Sequence, residues 1–382
     1  MARARDAQPP PSVGAVGVPG VPEVVPGDDL AGLLVRACEN AGLELLDGDV
    51  VVVSSKVVSK AAGLVVRSPD APAARRLRPF AAPAQPDVAV ATRDAVVAAE
   101  TVRVVASRRT PRGLAQVVES AAGPVMAAAG ADTSNTQPGT TLVLPRDPDG
   151  AARALRARLR ELGAPRIGVV VSDTAGRAWR VGQTDFALGC AGLRVLDDLR
   201  GTTDTAGTVL QVTERAVADE VAALADLVKG KVEGMPAAIV RGLSAFVLDD
   251  DGAGAAELLR DRGSDWFRLG HVEAVREALG VPADAVEPPS VTSEPLRHKV
   301  ARAVEVAAAV APRHQESLRC DVSGDGRAVV VVAPDGFTAG VVVTRLLAAL
   351  WTEDLAGAVR YDVEHHTATV TVRDADVGDG LR

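Results

Sequence analysis

The stretch VVVSDTAGRAWRVGQTD, Val169 to Asp185, runs β-branched residues straight into Ser172, Asp173 and Thr174, then Gly176, Arg177, Trp179 and Arg180. A short unbroken apolar run reads as a strand buried on both faces, here Ile167–Val171, with the polar residues following at its C-terminal end. An aspartate in that place is a candidate metal ligand, and Thr174 adds a hydroxyl oxygen. Arg177 and Arg180 carry planar forks suited to carboxylate or phosphate. Trp179 either stacks on a flat ring or seals the core. The plain structural alternative is a strand and turn closed by an arginine–aspartate pair. Acid, hydroxyl, two arginines and an indole crowd into eight residues of a chain with three tryptophans, which favours a functional reading.

Outward from this stretch, further strands are expected at Arg103–Ala106, Thr141–Leu144, Ala237–Val240 and Ala245–Leu248, and helices at Gly150–Leu162 and Glu214–Val228. Asp28 and Asp29 can cap the amphipathic segment that follows them. GDVVVVSSKVVSKAAGLVV reads as a buried strand, a polar break and a second short strand. Irregular alternation of elements places the core in the α+β (mixed α/β) class. Residues 1–13 read as a disordered tail and 68–88, rich in proline and alanine, as a mobile loop. After a helix and linker over 271–295, residues 296–382 read as a small α-β-β-α-β-β domain.

The chain has 382 residues and 47% hydrophobic content, enough for a sizeable core and an appended domain. A net charge of −8 without a long basic run disfavours nucleic acid as the main partner, so any anionic substrate must meet local cations. Cys38, Cys190 and Cys320 are far apart and show no paired-ligand spacing, which fits a reducing cytoplasm. No apolar run reaches membrane-spanning length, and the N-terminus lacks the apolar region of a signal peptide. Neither a P-loop nor a dinucleotide-binding glycine fingerprint occurs.

Other stretches carry candidate chemistry. SSKVVSK places Ser55, Lys56, Ser59 and Lys60 just after a buried strand, where phosphate groups are commonly met; a solvated charged turn is the bland alternative. AAAGADTSNTQPGTT sets Asp132 beside Asn135, a hard-cation or nucleotide-edge pair or an ordinary turn. DDLRGTTDTAG adds an acidic, glycine-containing segment. DLVKGKVEGMP leaves Lys229, Lys231 and Glu233 at a helix C-terminus, suited to the helix dipole or to a loop closing over a nucleotide. The histidines have no supporting grouping, and no nucleophilic triad is visible.

Taken in order, GVPEVVPGDDL, GDVVVVSSKVVSKAAGLVV, AAAGADTSN, VVVSDTAGRAWRVGQTDFALGCAG, LRGTTDTAG, ADEVAALADLVKGKVEGMPAAIVRGL and DWFRLG, within residues 17 to about 270, resemble the coenzyme F420-0:L-glutamate ligase (γ-glutamyl ligase) family, which implies a ligase domain over residues 14–270. That family is also the N-terminal half of a two-domain actinobacterial protein of coenzyme F420 biosynthesis. The resemblance implies GTP-dependent, divalent-metal-dependent amide synthesis, in which a carboxylate of F420-0 is activated as an acyl phosphate and attacked by L-glutamate. Later additions are γ-linked. It further implies Mg2+ or Mn2+, with K+ as an additional candidate, and a homodimer with the site near the subunit interface.

Carried over residue by residue, Val21, Pro22, Glu23, Val24, Ser55, Lys60 and Asn135 match nucleotide-contacting positions. So does the loop Lys229, Gly230, Lys231, Val232, Glu233, Gly234, Met235 and Pro236. Asp132, Asp173 and Thr174 match metal positions, and Lys231 falls where some members have a metal-contacting glutamine. Asp173, Lys60, Arg177 and Arg180 are the catalytic candidates; the two arginine roles come from their chemistry, not from the resemblance. Two departures stand out: Ala122-Gly123 replaces a His-Gly of many members, and Ala128 replaces an asparagine. Residues 271–382 are too short for the flavin-binding domain of the fused relatives, so no flavin is expected; a lid and a dimerisation element are the two roles considered. The alternatives are a metal-dependent phosphohydrolase or nucleotidyltransferase, and a deazaflavin-binding relative without turnover.

Overall fold

The computed structural model describes residues 12–67, 93–110, 113–136, 139–230, 233–282, 285–290, 294–309 and 317–375. Residues 1–11 of the tail expected over 1–13, and the segment 68–88 expected to be mobile, therefore lie outside the described residues. The chain divides into two compact units: residues 1–96, 121–124 and 130–261, and residues 97–120, 125–129 and 262–382. Both are mixed α/β, each with its own sheets and helices.

In the first unit the valine runs form the centre of a five-stranded sheet. Its strands lie side by side in the order Gly14–Gly17, Ala237–Arg241, Val50–Ser54, Gly168–Arg177 and Arg180–Ala191. Every neighbouring pair is antiparallel except Val50–Ser54 with Gly168–Arg177, which run parallel with Val50 opposite Gly168 and Ser54 opposite Ser172. Alternation along each strand sends side chains to opposite faces. Val51, Val53, Val169 and Val171 pack under the helices Leu30–Asn40 and Pro148–Glu161, against Leu34, Leu155 and Leu159. Val50, Val52 and Val170 face the helix Val217–Lys229, against Val221, Ala222 and Ala225. Burial on both faces explains why these strands are unbroken apolar runs.

The helix boundaries follow their caps. Asp29 accepts from Gly32 N at 3.2 Å, as read from sequence, and Asp147 accepts from Gly150 N at 2.7 Å with proline in the first turn behind it. Asp149, buried, accepts from Cys190 N and Ala255 N, both at 2.7 Å, and so ties that helix start to the edge strand. The approach is close: a Cβ on Gly189 would lie 2.2 Å from the carbonyl oxygen of Pro148.

Four sequence expectations change. The polar break after Val50–Ser54 is a helix, Ser55–Ala61, in which the adjacent Val57 and Val58 are buried while the lysines reach polar partners. The strand expected to stop at Val171 continues to Arg177 and returns through a two-residue turn at Ala178 and Trp179. Trp179, the second turn residue, takes a left-handed φ of 63°, and the ladder shifts register between Gly176 and Arg177 beside it. Ala245–Leu248 is a turn with one bridge at Val247: the carbonyls of Val247 and Leu248 accept from Arg166 (2.6 Å) and Arg156 (2.7 Å) instead of a neighbouring strand. The helix expected from Glu214 begins at Val217, since Glu214–Ala216 pairs with Leu196–Asp198.

The second unit contains a three-stranded antiparallel sheet, Thr101–Thr110, Gly113–Ser120 and Val125–Ala127, and a helix His271–Ala278. Helix Leu296–Ala308, strands Arg319–Val322 and Ala328–Val332, helix Gly336–Thr352 and strands Leu355–Asp362 and Thr367–Asp374 follow in that order. The four strands pair antiparallel, with Thr367–Asp374 lying between Ala328–Val332 and Leu355–Asp362. Their core is built by Val300, Val329, Val331, Leu346, Leu350 and Val370, beside a buried Arg302 paired with Glu294 and Glu353.

The close approach at Gly189 has a measurable consequence. Gly189→Ala forces the edge strand away from Pro148 and is expected to destabilise the first unit by about 2 kcal/mol, read as a lower midpoint in urea denaturation. An unchanged midpoint would show that this contact yields freely.

Candidate functional site

The parallel strands Val50–Ser54 and Gly168–Arg177 point their C-terminal ends the same way, which is where open α/β sheets hold ligands. Ser55, the first helical residue after one strand, donates from Oγ to Asp173 Oδ1 of the other at 2.9 Å. One residue on, Lys56 Nζ forms an ion pair with Asp132 Oδ2 at 2.8 Å and donates to Ser134 Oγ at 2.8 Å. Asp132 reaches this point because its backbone bridges Leu142, whose strand Thr140–Leu142 pairs with Val65–Arg67, directly after the Ser55–Ala61 helix. One turn along that helix, Lys60 Nζ donates to Glu23 Oε1 at 2.6 Å. Ser54 N donates to the carbonyl of Pro236 at 2.9 Å, so the end of the 229–236 segment also borders the strand end.

A second polar group occupies the opposite face of the same strands. Asp185, 4% exposed, stands opposite Thr174 in the hairpin and accepts from Thr174 Oγ1 at 2.6 Å through Oδ1. Its Oδ2 accepts from Ser172 Oγ at 2.8 Å and from Lys229 Nζ at 2.6 Å. The Lys229 ammonium, itself buried, also donates to Ser172 Oγ at 2.6 Å and to Ser54 Oγ at 3.5 Å. Asp173 and Thr174, neighbours in sequence, thus present their side chains to different faces.

The electrostatics follow from this crowding. Burial pushes the Asp173 carboxyl up to about 6, and Asp185 and Asp132 beside it push the same way against the opposing bonds from Ser55 and the Thr174 backbone. For Asp132, burial also acts upward, but the Lys56 bond and the Ser134 N–H outweigh it and hold its carboxyl below the usual range. Among the described residues no group of three or more His, Cys, Asp or Glu converges as a metal cage. Two carboxylates interleaved with ammonium and hydroxyl groups can supply only part of a cation's oxygen ligands, the rest coming from a ligand's own anionic oxygens or from water.

Of the residues singled out from sequence, Ser55, Asp173 and Asp132 come together through Lys56, Lys60 joins Glu23, and Thr174 and Lys229 meet at Asp185. Val24 is buried in the core beside them. Arg177 and Arg180 are exposed at the far end of the hairpin, where Trp179 is 88% exposed, so the indole does not seal the core. Asn135 is exposed in the loop after Asp132, with φ of 51°. Gly230, Glu233 and Gly234 are exposed, and Lys231 and Val232 lie outside the described residues. Asp185 and the pairing role of Lys56 were missed. No local signal gives Asp185 its place: the turn between Arg177 and Arg180 alone would set Gln183 opposite Thr174, and a register shift between Gly176 and Arg177 brings Asp185 there instead.

A sheet rim where carboxylates alternate with ammonium and hydroxyl groups offers charge-assisted hydrogen bonds to a polar ligand. The sequence profile described as F420-0:Gamma-glutamyl ligase matches residues 20–242. The chain is 39% identical over 258 residues to the coenzyme F420:L-glutamate ligase of Methanothermobacter thermautotrophicus, covering 67% of this chain and 99% of that protein. It is 38% identical over 232 residues to the Archaeoglobus fulgidus protein of that name, covering 59% and 86%, and 39% identical over 265 residues to that of Haloarcula marismortui, covering 68% and 96%. The chain belongs to the F420-0:gamma-glutamyl ligase family, a family of ligases. Residues 243–382 lie beyond the profile match.

Because the Asp173 carboxyl is held at about 6, the folded protein binds its proton more tightly than the unfolded chain does, and the stability it contributes is lost as pH rises from about 4 through about 6. Asp173→Asn removes that penalty. Without added divalent cation, the substitution is expected to stabilise the protein by about 2 kcal/mol at pH 8 and to change little at pH 4, measured by thermal unfolding at the two pH values. Equal effects at both would refute the charge origin.

Proposed function

We propose that this chain is a GTP- and divalent-metal-dependent ligase that adds L-glutamate to coenzyme F420-0, with later glutamates γ-linked, in coenzyme F420 biosynthesis. The observation that carries the reading is the convergence of Asp132 and Asp173 at the strand end with Ser55, Lys56 and Lys60. Family membership supplies the substrate class. A cation at this rim would favour the ionised form of the buried Asp173 carboxyl, which burial and the nearby Asp185 and Asp132 charges disfavour. Two protein carboxylates fit Mg2+ or Mn2+, ions that take their remaining ligands from phosphate oxygens and water. When bound, the ion would offset the negative charge that builds up as two anionic groups are brought together.

Within that reading, Asp132 and Asp173 would hold the ion, and Ser55 keeps the Asp173 carboxylate in place. Lys60 and Lys56 supply positive charge for nucleotide phosphates, and residues 229–236 border the nucleotide. The acceptor carboxylate oxygen forms a bond to the γ-phosphorus of GTP as the bond to GDP breaks. The glutamate nitrogen, having lost its proton, then bonds to the acyl carbon and inorganic phosphate leaves. No covalent enzyme intermediate is required, in keeping with the residue types present. Arg177 and Arg180 are assigned to the acidic tail of the acceptor, and a cytoplasmic homodimer is the working form.

The direct test is incubation with GTP, Mn2+ or Mg2+, F420-0 and glutamate, followed by mass spectrometry of the deazaflavin products. Mass increments of successive glutamyl residues are expected, with GTP consumed only when both acceptor and glutamate are present. Asp173→Ala and Asp132→Ala should each lower kcat by at least about 100-fold. GTP hydrolysis independent of glutamate, with no tailed product, would point to the phosphohydrolase reading instead.

A further inference from the structure

We infer that Lys56 couples the two ligands of the strand-end site: its ammonium competes with a metal ion for Asp132, and the ammonium that the ion displaces passes to a nucleotide phosphate. The inference rests on the reading of this rim as a cation and nucleotide site and adds to it a linkage between the two. Lys56 Nζ lies 2.8 Å from Asp132 Oδ2, 2.8 Å from Ser134 Oγ and 2.9 Å from the Ser134 carbonyl oxygen. A carboxylate, a hydroxyl and a carbonyl oxygen are the kinds of donor that a hard cation takes. The ammonium, with three protons and no lone pair, has one proton for each.

Bonds within the turn hold these oxygens together without the lysine. Ser134 N donates to Asp132 Oδ1 at 2.7 Å, and Ser134 Oγ donates its proton to Oδ2 at 2.9 Å. Oδ2 thus accepts twice, from Ser134 Oγ and from Lys56, which uses both of its lone pairs. A metal ion on Oδ2 has to displace the ammonium, and one on Oδ1 would still stand a carboxylate's width away and be repelled by it. Lys56 is the second residue of the helix Ser55–Ala61, so its flexible four-carbon stem pivots on a fixed backbone. The Lys56 and Asp132 side chains are 23% and 44% exposed, whereas the closed pair of Lys229 and Asp185 is 3% and 4% exposed. An ammonium that leaves Asp132 needs another anion, which a nucleotide phosphate supplies. The linkage is reciprocal: the ion releases the lysine to the phosphate, and the phosphate holds the lysine off the ion's carboxylate.

The test is Lys56→Met, read by two titrations that need no turnover. Mn2+ affinity without nucleotide, by electron paramagnetic resonance, is expected to rise at least about tenfold, because the competing charge is gone. GTP affinity in EDTA, by calorimetry, is expected to fall at least about tenfold, because a phosphate partner is gone. Lys56→Arg keeps the charge and should show no gain in Mn2+ affinity, and Asp132→Asn added to Lys56→Met should abolish the gain. Thermal unfolding and near-UV circular dichroism serve as folding controls. A lysine that only contacts phosphate would leave Mn2+ affinity unchanged, and one that only braces the Ser134 turn would lower it; either result overturns the inference. GTP affinity that Lys56→Met leaves unchanged, or that the wild type lacks in EDTA, overturns it as well. Failure of wild type and Lys56→Met alike to bind Mn2+ would instead overturn the cation-site reading beneath it.

Discussion

The site depends on one pairing: the parallel register of Val50–Ser54 with Gly168–Arg177 in a sheet whose other neighbours are antiparallel. Parallel strands end at the same rim. Ser54 therefore stands opposite Ser172, and the residues that follow them, helical Ser55 and strand residue Asp173, meet through a hydrogen bond. A one-residue slip would turn Asp173 toward the Lys229 face and bury Thr174 among the helices of the other. The valines prevent the slip, because each face must match a different helix layer.

The same alternation separates two kinds of chemistry. On one face Asp132, Asp173, Lys56 and Lys60 sit in partly open surroundings, with charges that a ligand can rearrange. On the other, Asp185, Lys229 and Ser172 are closed off and saturated with hydrogen bonds. On the first face burial, with smaller contributions from Asp185 and Asp132, raises the Asp173 carboxyl. The second spends its charges on each other and stiffens the rim from behind. Functional groups held by a rigid, satisfied layer are what a precise site requires.

Much of this was legible in the chain. Continuous valines announced doubly buried strands, Asp29 announced a helix start, and the crowding after Val171 announced a site. The hairpin was not legible, because nothing in Thr174–Arg177 looks like a strand until its partner Arg180–Ala191 completes the ladder. Lys229 shows the same limit. A lysine at a helix end reads as a solvated charge near the helix dipole, and only Asp185, 44 residues away, explains its burial. Arg156 and Arg166 likewise turned an expected strand at 245–248 into a turn by taking its carbonyls.

By itself the sequence determined which segments must be buried, where helices begin, and which family the chain resembles, since these rest on local pattern and on motifs contiguous in the chain. Only the tertiary structure decided which side chains share a face. It separated Asp173 from Thr174, joined Asp132 to Lys56 across 76 residues, and made Asp185 a buried acceptor. Such choices turn on strand register and on long-range charge pairing, and no local pattern encodes either.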